Sequence, residues 1–318
     1  MKNKNVLVTG GAGFIGSNLV SYLISNGNSV TVLDNFISGY RSNLHPFPSV
    51  RIIEGDIRDK NAVEEAMSGA EVVFHMAASV GNKRSIDYPL IDADINVMGT
   101  LQILEAARKM GVRKIVTSSS AGIFGELKTI PIKEDHPIEP DTPYGCTKLC
   151  EEKLCLSYAK LYDIEAVCLR YFNVYGPNQR FDAYGNVIPI FVFRMIRNET
   201  LTIYGDGEQT RDFVHVDDVV QANINAANTE GVNGAFNIAS GKSITINQLV
   251  KIISKNNNSI DVEYAPNRPG DVRDSLADLS LAQQKINYTP QVDIESGVKE
   301  YIQWARKISE TNQLGTLQ

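Results

Sequence analysis

The sequence predicts an α/β fold, a doubly wound parallel sheet followed by a smaller α/β unit. Three observations carry this. Short apolar runs alternate with amphipathic stretches through the first half of the chain, the pattern of parallel strands joined by crossover helices. A turn with glycines at Gly10, Gly13 and Gly16 joins the first strand to the first helix. Beyond Asn173 the alternation loosens, and short strands near 201–204 and 261–264 are interleaved with helices. The expected division gives residues 1–172, with a return segment near 213–240, to the larger unit. Residues 173–212 and 241–318 form the smaller one.

In order, Val6-Leu7-Val8 reads as a buried parallel strand and Phe14 to Ile24 as a helix. Glycines in that context make a phosphate site: they let a pyrophosphate approach the backbone, and the helix start offers free N–H groups and a positive dipole end. The second strand, Val30 to Leu33, ends in Asp34. A carboxylate there accepts from both ribose hydroxyls of an adenosine and repels a 2′-phosphate. The layout is Rossmann-type and the expected cofactor is NAD rather than NADP. Arg51 to Glu54 is the third strand, running into Gly55-Asp56-Ile57. Strand ends face the ligand crevice, so Asp56 is expected at the adenine amino group with Ile57 as an apolar wall, or else as the cap of a helix from about Asn61.

Glu71 to His75 is the fourth strand, followed by Met76-Ala77-Ala78, small enough for the backbone to lie against the cofactor. His75 reads as a packed strand-end histidine. A long helix is expected from about Ile91 to Met110, then a fifth strand from Lys114 to Thr117 that runs into Ser118-Ser119-Ser120. Tyr144-Gly145-Cys146-Thr147-Lys148 opens a helix to about Leu161. Glu165 to Leu169 is the sixth strand, followed by Arg170-Tyr171-Phe172-Asn173, and the helix from His215 to Ala227 returns to the larger unit.

The composition excludes several partners. With 318 residues, 43% hydrophobic, the chain can bury one large core and a smaller one. A formal charge of -6 argues against nucleic acid, which needs a basic face. No run of about 18 apolar residues exists, so no membrane span is expected. Cys146, Cys150, Cys155 and Cys168 lack metal-ligand spacing and read as free thiols, and no metal is expected. Free thiols and a start that enters a strand directly point to the cytoplasm.

Tyr144 and Lys148 lie four apart, on one helix face. A phenol near pKa 10 is a poor base at neutral pH. A neighbouring ammonium and the cationic nicotinamide both favour phenolate, so Tyr144 is expected to titrate low. Lys148 can also hold the nicotinamide ribose. Ser120, or a neighbouring serine, would hydrogen-bond the substrate oxygen or the phenolate. Together these groups take a proton from a secondary alcohol while a hydride leaves for NAD.

The chain resembles the extended short-chain dehydrogenase/reductases, and within them the UDP-hexose 4-epimerases. The resemblance runs from Val6 to about Trp304. It is carried by Thr9 to Gly16, Asp34-Asn35, Gly55-Asp56-Ile57, His75 to Ala78, Ser118 to Gly125, Tyr144 to Lys148, Arg170 to Asn173, Gly205-Asp206-Gly207, Thr210-Arg211-Asp212 and Arg268-Pro269-Gly270-Asp271. It implies further cofactor contacts from Phe14, Ile15, Asn35, Ser38, Gly39, Asn96, Ser118 and Tyr171. It also implies a UDP-sugar substrate. Arg211 and Arg268 would hold the pyrophosphate, and two guanidinium groups suit a diphosphate because each offers paired donors. Asn173 resembles the donor to the phosphate next to the sugar. Asn186 and Val187 resemble residues lining the same site, Thr202 and Tyr204 the strand that reads uracil, and Asp271 the carboxylate on the uridine ribose. Ser79 would join Ser120 and Tyr144 on the sugar side. The resemblance further implies a homodimer built through a four-helix bundle from helices near 91–110 and 145–161. Leu101, Leu104, Leu149 and Leu154 would belong to that face or to the core.

The resemblance also separates reactions. Acidic residues follow the catalytic Ser or Thr in related 4,6-dehydratases, and UDP-glucuronate decarboxylases have a glutamate in that segment. Here Ala121 and Gly122 follow Ser120, which favours oxidation and re-reduction at C4 through a transient ketone. A non-catalytic NAD-binding regulator has no need of an intact Ser120, Tyr144 and Lys148. The family's gatekeeper lies seven residues after the arginine of Arg268-Pro269-Gly270-Asp271, which is Ser275 here. A tyrosine there resembles the glucose/galactose type. A small residue resembles the type that admits a 2-acetamido group, so UDP-GlcNAc/UDP-GalNAc are expected substrates alongside UDP-Glc/UDP-Gal.

Overall fold

The computed structural model describes residues 1–179, 181, 186–255, 260–266 and 273–310. Its strands are β1 (Asn5–Thr9), β2 (Ser29–Asp34), β3 (Arg51–Glu54), β4 (Val72–His75), β5 (Lys114–Ser120), β6 (Glu165–Tyr171), β7 (Asn173–Tyr175), β8 (Leu201–Tyr204), β9 (Thr210–His215), β10 (Gly234–Ile238), β11 (Ser243–Thr245) and β12 (Val262–Ala265). The helices are α1 (Phe14–Ser25), α2 (Lys60–Met67), α3 (Asn82–Asp87), α4 (Pro89–Ala93), α5 (Thr100–Met110), α6 (Pro143–Leu161), α7 (Val187–Ile196), α8 (Val216–Asn228), α9 (Ile246–Ser254), α10 (Ser280–Ile286) and α11 (Ile294–Glu310).

Seven parallel strands form the main sheet in the order β3-β2-β1-β4-β5-β6-β10, the doubly wound arrangement expected of the sequence. Its central strands are apolar without alternation because helices cover both faces. On one face Leu19, Val20 and Leu23 of α1 pack with Val219, Val220 and Ile224 of α8. On the other, Val63 and Met67 of α2 meet Ile103 and Leu104 of α5 and Cys155 of α6. A separate apolar cluster joins β8 and β9 to α7, α9 and α11, with Phe191, Phe193, Leu249 and Tyr301 among its buried members. Two small sheets, β11-β9-β7 and β12-β8, belong to this part of the chain. None of the helices described is long and apolar enough to cross a membrane.

Several boundaries differ from expectation for local reasons. The single helix expected over 91–110 is interrupted by a π-helical turn at Asp94–Gly99. The Asn96 side chain is committed to the Ser79 backbone, accepting from its N–H at 2.7 Å and donating to its carbonyl at 3.1 Å. The Thr100 hydroxyl takes the Asn96 carbonyl at 2.6 Å. Asp59 caps α2 through the N–H groups of Asn61 and Ala62, so Asp56 does not. Thr142 caps α6 by accepting from the Gly145 N–H, and Pro143 occupies its first turn, which sets Tyr144 at the helix start. Leu104 belongs to the core, while Leu101, Leu149 and Leu154 are half-buried.

His75 is packed as expected, between the hydroxyls of Thr9 at 2.7 Å and Thr100 at 3.0 Å. Burial, and then the Lys148 ammonium, push its pKa down to about 3. The unfolded chain binds a proton near pH 6.5 that the folded chain refuses. His75 therefore supports the fold fully above about pH 6.5, and this contribution is lost as pH falls toward its folded value. The expected slope is about 1.4 kcal/mol per pH unit on the acid side, and it should be absent in His75→Gln. Urea unfolding of both proteins at pH 7 and pH 5 checks this, and equal slopes would contradict it.

Candidate functional site

A cleft of about 1440 Å³ opens at the C-terminal ends of the main-sheet strands and extends to β8, β9 and α7. Most of the residues singled out in the sequence line it, including Gly13, Phe14, Ile15, Asn35, Ser38, Ala77, Ala78, Ser79 and Ser118.

The glycine turn is a close-approach device. Gly10 has φ +66°, and a Cβ there would lie 2.7 Å from the Ala77 nitrogen. A Cβ at Gly16 would lie 2.1 Å from the Gly10 carbonyl oxygen, so α1 starts hard against the turn. Asp34 ends β2 with Oδ2 accepting from the Ala12 N–H at 2.9 Å and Oδ1 from Phe36 at 2.8 Å. Burial pushes its carboxyl up, and these two N–H groups pull it back. Asp56 and Ile57 are in the wall, but Asp56 is already engaged. Arg58 grips both its oxygens at 2.8 Å and Asn35 donates to Oδ2 at 2.9 Å. Arg58 holds the Asp56 carboxyl at about 2. Two expected wall residues stand behind it. Asn96 is buried and braces Ser79, and Gly39 packs on Ala12 and Asp34. Met76 is in the wall, and the hydroxyl of Tyr171 is held by the Asn223 amide at 2.8 Å.

At the ends of β5 and α6 the three serines divide by strand alternation. The Ser119 hydroxyl is committed to the buried Glu152, to which it donates at 2.9 Å. The Ser118 hydroxyl donates to the His75 carbonyl at 3.3 Å and accepts from Lys148 Nζ at 3.5 Å. The Ser120 hydroxyl hydrogen-bonds the Tyr144 phenol and accepts from the Gly122 N–H at 3.0 Å. Lys148 is buried, and its Nζ donates to Glu151 Oε2 at 2.6 Å. Burial alone would lower Lys148, but the Glu151 carboxylate and the Tyr144 phenol more than offset it and hold the ammonium above its ordinary value. Tyr144 departs from expectation. Burial of the phenol outweighs the Lys148 ammonium and the Ser120 hydroxyl, so the protein alone holds Tyr144 above its ordinary value.

Farther out, Asn173, Asn186, Val187, Thr202, Tyr204, Arg211 and Ser275 all line the cleft. The Asn173 amide donates to the Asp212 carbonyl at 3.1 Å, and Arg211 donates to the Thr210 carbonyl at 2.8 Å. Thr202 accepts from Arg194 and donates to Glu263, each at 2.8 Å. Ser275 is buried, with its N–H on Thr210 Oγ1 at 3.3 Å. Arg268 and Asp271 lie outside the described residues. The sequence reading missed Arg58, Asn223 and Glu151. Only Glu151, three residues beyond Lys148, carried a signal, as an acid on the helix that holds the ammonium.

The sheet order, the glycine turn and the carboxylate ending β2 define a dinucleotide-binding α/β protein. The turn has no room for side chains where a pyrophosphate would rest, and the Asp34 carboxylate suits an unphosphorylated ribose. A family model described as the NAD dependent epimerase/dehydratase family matches residues 6–239. The chain belongs to that family, and its cofactor is NAD. It is 41% identical over 310 residues to a putative UDP-glucose 4-epimerase of Methanocaldococcus jannaschii, covering 96% of this chain and 100% of that one. A Thermotoga maritima UDP-glucose 4-epimerase, solved with UDP-glucose, matches with TM-score 0.91 and 41% identity over 96% of this chain and 99% of that one. A Methanobrevibacter ruminantium UDP-N-acetylglucosamine 4-epimerase, solved with UDP-N-acetylmuramic acid, matches with TM-score 0.92 and 40% identity over 98% and 100%. Relatives of other activity also match, among them a UDP-glucuronic acid decarboxylase of Arabidopsis thaliana at 32% identity and a Streptomyces venezuelae dTDP-glucose 4,6-dehydratase at 29%.

Proposed function

We propose that the protein is an NAD-dependent 4-epimerase of UDP-hexoses, acting on UDP-GlcNAc/UDP-GalNAc as well as UDP-Glc/UDP-Gal. The observation that carries the substrate range is Ser275, buried in the cleft wall where a tyrosine would fill the space. Tyr144, with Ser120 on its hydroxyl, takes the proton from the sugar's C4 hydroxyl and later returns it to the C4 oxygen. The Lys148 ammonium favours the phenolate. The glycine turn, Asp34 and the Met76–Ala78 segment would hold NAD, which would supply the hydride acceptor and donor for C4. Arg211, with Arg268, holds the diphosphate while the sugar presents its other face. Residues 173–212 and 241–318 are the UDP-sugar-binding part in this reading. Ala121 and Gly122 after Ser120 supply no acid or base for elimination.

The purified protein, incubated without added cofactor with UDP-GlcNAc and separately with UDP-glucose, is expected to form both C4 epimers by NMR. In Ser275→Tyr, turnover of the acetamido sugar should fall by about 100-fold, from overpacking of the site, while UDP-glucose turnover persists. Turnover of UDP-glucose alone by the unaltered protein would remove the acetamido substrates from the reading. A 4-keto-6-deoxy product would replace it with a dehydratase.

A cytoplasmic homodimer belongs to the same proposal. Leu90, Ile91 and Met98 are exposed on the segment that packs against α6, which supports a bundle between copies. The four cysteines are free, which suits a reducing compartment.

A further inference from the structure

We propose that Glu151 is a positioning residue for the Tyr144–Lys148 pair, a buried counter-ion that fixes the Lys148 ammonium between the helix that carries Tyr144 and the strand that ends in Ser120. The proposal rests on the reading of Tyr144 and Lys148 given above. Lys148 and Glu151 are both buried to 1% exposure and meet at 2.6 Å across one helical turn. The other carboxylate oxygen of Glu151 accepts from the Thr117 hydroxyl on β5. Glu151 is thus anchored at both oxygens between the helix that carries Tyr144 and the strand that ends in Ser120.

The adjacent acid shows that this is not a generic helix feature. Glu152 turns to a different side, toward β6, where it binds Arg170 at 2.8 Å. That pair is complete without Glu151. A buried ammonium needs a partner to stay charged, because desolvation favours its neutral form. Glu151 supplies that partner and keeps Lys148 cationic at neutral pH. Its negative charge also opposes the effect of Lys148 on the phenol, since the Glu151 carboxylate raises Tyr144. Among the described residues, the titratable groups facing this centre are Lys148, Tyr144, Cys150, Glu152 and Cys155 on α6, Cys168 and Tyr171 on β6, Asp92 on α4 and His75 on β4. His75 stays neutral through the working range, so Glu151 is the anion in contact with the Lys148 ammonium.

The test is the pH profile of kcat/KM for Glu151→Gln against the unaltered enzyme. Gln keeps the shape and an acceptor for Thr117 but removes the charge. The acid limb, which reports Tyr144 losing its proton, is expected to move by about one pH unit: lower where Lys148 stays an ammonium, from the loss of one nearby negative charge, and higher where Lys148 sheds its proton along with its partner, and either move follows from the counter-ion role. Glu151→Asp should keep the limb near its original position. An unmoved limb in Glu151→Gln, with kcat lowered equally at all pH values, would make Glu151 a merely structural residue and overturn the proposal. If Glu151→Gln does not fold, Thr117→Val decides in the same way. Without the hydroxyl, Glu151 is more easily protonated, and the limb should shift in the same direction by less. Tyr144→Phe run alongside separates the two levels. If it retains turnover, the reading of Tyr144 has failed. If it is inactive while the limbs of the Glu151 and Thr117 variants stay in place, the counter-ion role alone has failed.

Discussion

Replacing Tyr144 by Phe is expected to lower kcat by about 10³-fold while leaving the fold and bound NAD intact, because it removes the proton carrier and little else. The ring is half-buried at the start of α6, beside Gly122, where an added Cβ would lie 3.8 Å from the ring's edge. Phe keeps that packing. Its lost hydroxyl frees Ser120, which still accepts from the Gly122 N–H at 3.0 Å and so is not left unsatisfied. Lys148 retains Glu151. The loss should therefore fall on kcat with KM little changed, the pattern of a group whose contribution is made in the transition state. Steady-state rates with UDP-glucose, beside a melting curve and the absorbance of bound cofactor, provide the check. A Phe variant within tenfold of the original would end the assignment of Tyr144 as base.

The largest effect on stability is expected from Arg170→Met, at about 3–5 kcal/mol, because the change strands a buried charge. Glu152 has no exposed surface, and Arg170 meets it in a two-pronged contact, Nε at 3.0 Å and Nη2 at 2.8 Å. The third guanidinium nitrogen donates to the Glu134 carbonyl at 2.8 Å, and the group lies over the Phe124 ring. Met fills much of the volume but leaves Glu152 with the Ser119 hydroxyl and a long contact to the exposed Lys153 ammonium at 3.8 Å. The double variant Arg170→Met/Glu152→Leu should recover most of the loss, since an apolar pair of similar size needs no desolvation of charge. Urea unfolding of the two variants measures both terms. A single variant within about 1 kcal/mol of the original would show that water reaches Glu152 and that the pair behaves like a surface one.

The main sheet could be read from the chain because parallel strands covered on both faces must be apolar throughout, as Val6 to Val8 and Val72 to Phe74 are. The seventh strand, β10, escaped that reading. Its Asn237 is buried, and its amide donates to the Ile132 carbonyl at 2.9 Å, so a polar residue sits where an apolar one was the signal. The break in the helix over 91–110 is also a tertiary event, since it follows from Asn96 reaching Ser79 and no local pattern marks it. Within the site, the glycines, Asp34 and the Tyr144–Lys148 spacing were legible because each satisfies a short-range geometric demand. The engagement of Asp56 by Arg58, the burial that raises Tyr144 and the partnership of Glu151 with Lys148 were not. They depend on which side chains the folded chain brings together and how much water it removes. An acid following a lysine reads on a helix as a solvated face until the strand carrying Thr117 closes over it.

The position of β10 has a consequence for synthesis. Its partner β6 is made much earlier, since Gly234 pairs with Val167. As the chain leaves the ribosome, six strands can assemble while β6 remains an open edge, presenting unpaired N–H and carbonyl groups. The segment that will seal this edge follows residues that contribute β7, β8, β9 and α7 to the other apolar cluster. Completion of the nucleotide-binding sheet must wait for those inserted elements to emerge, while α9 and α11, which complete their core, come later still. During that interval the nascent protein carries its greatest exposure to mispairing with neighbouring chains, and late translation is the stage at which a chaperone would serve it best.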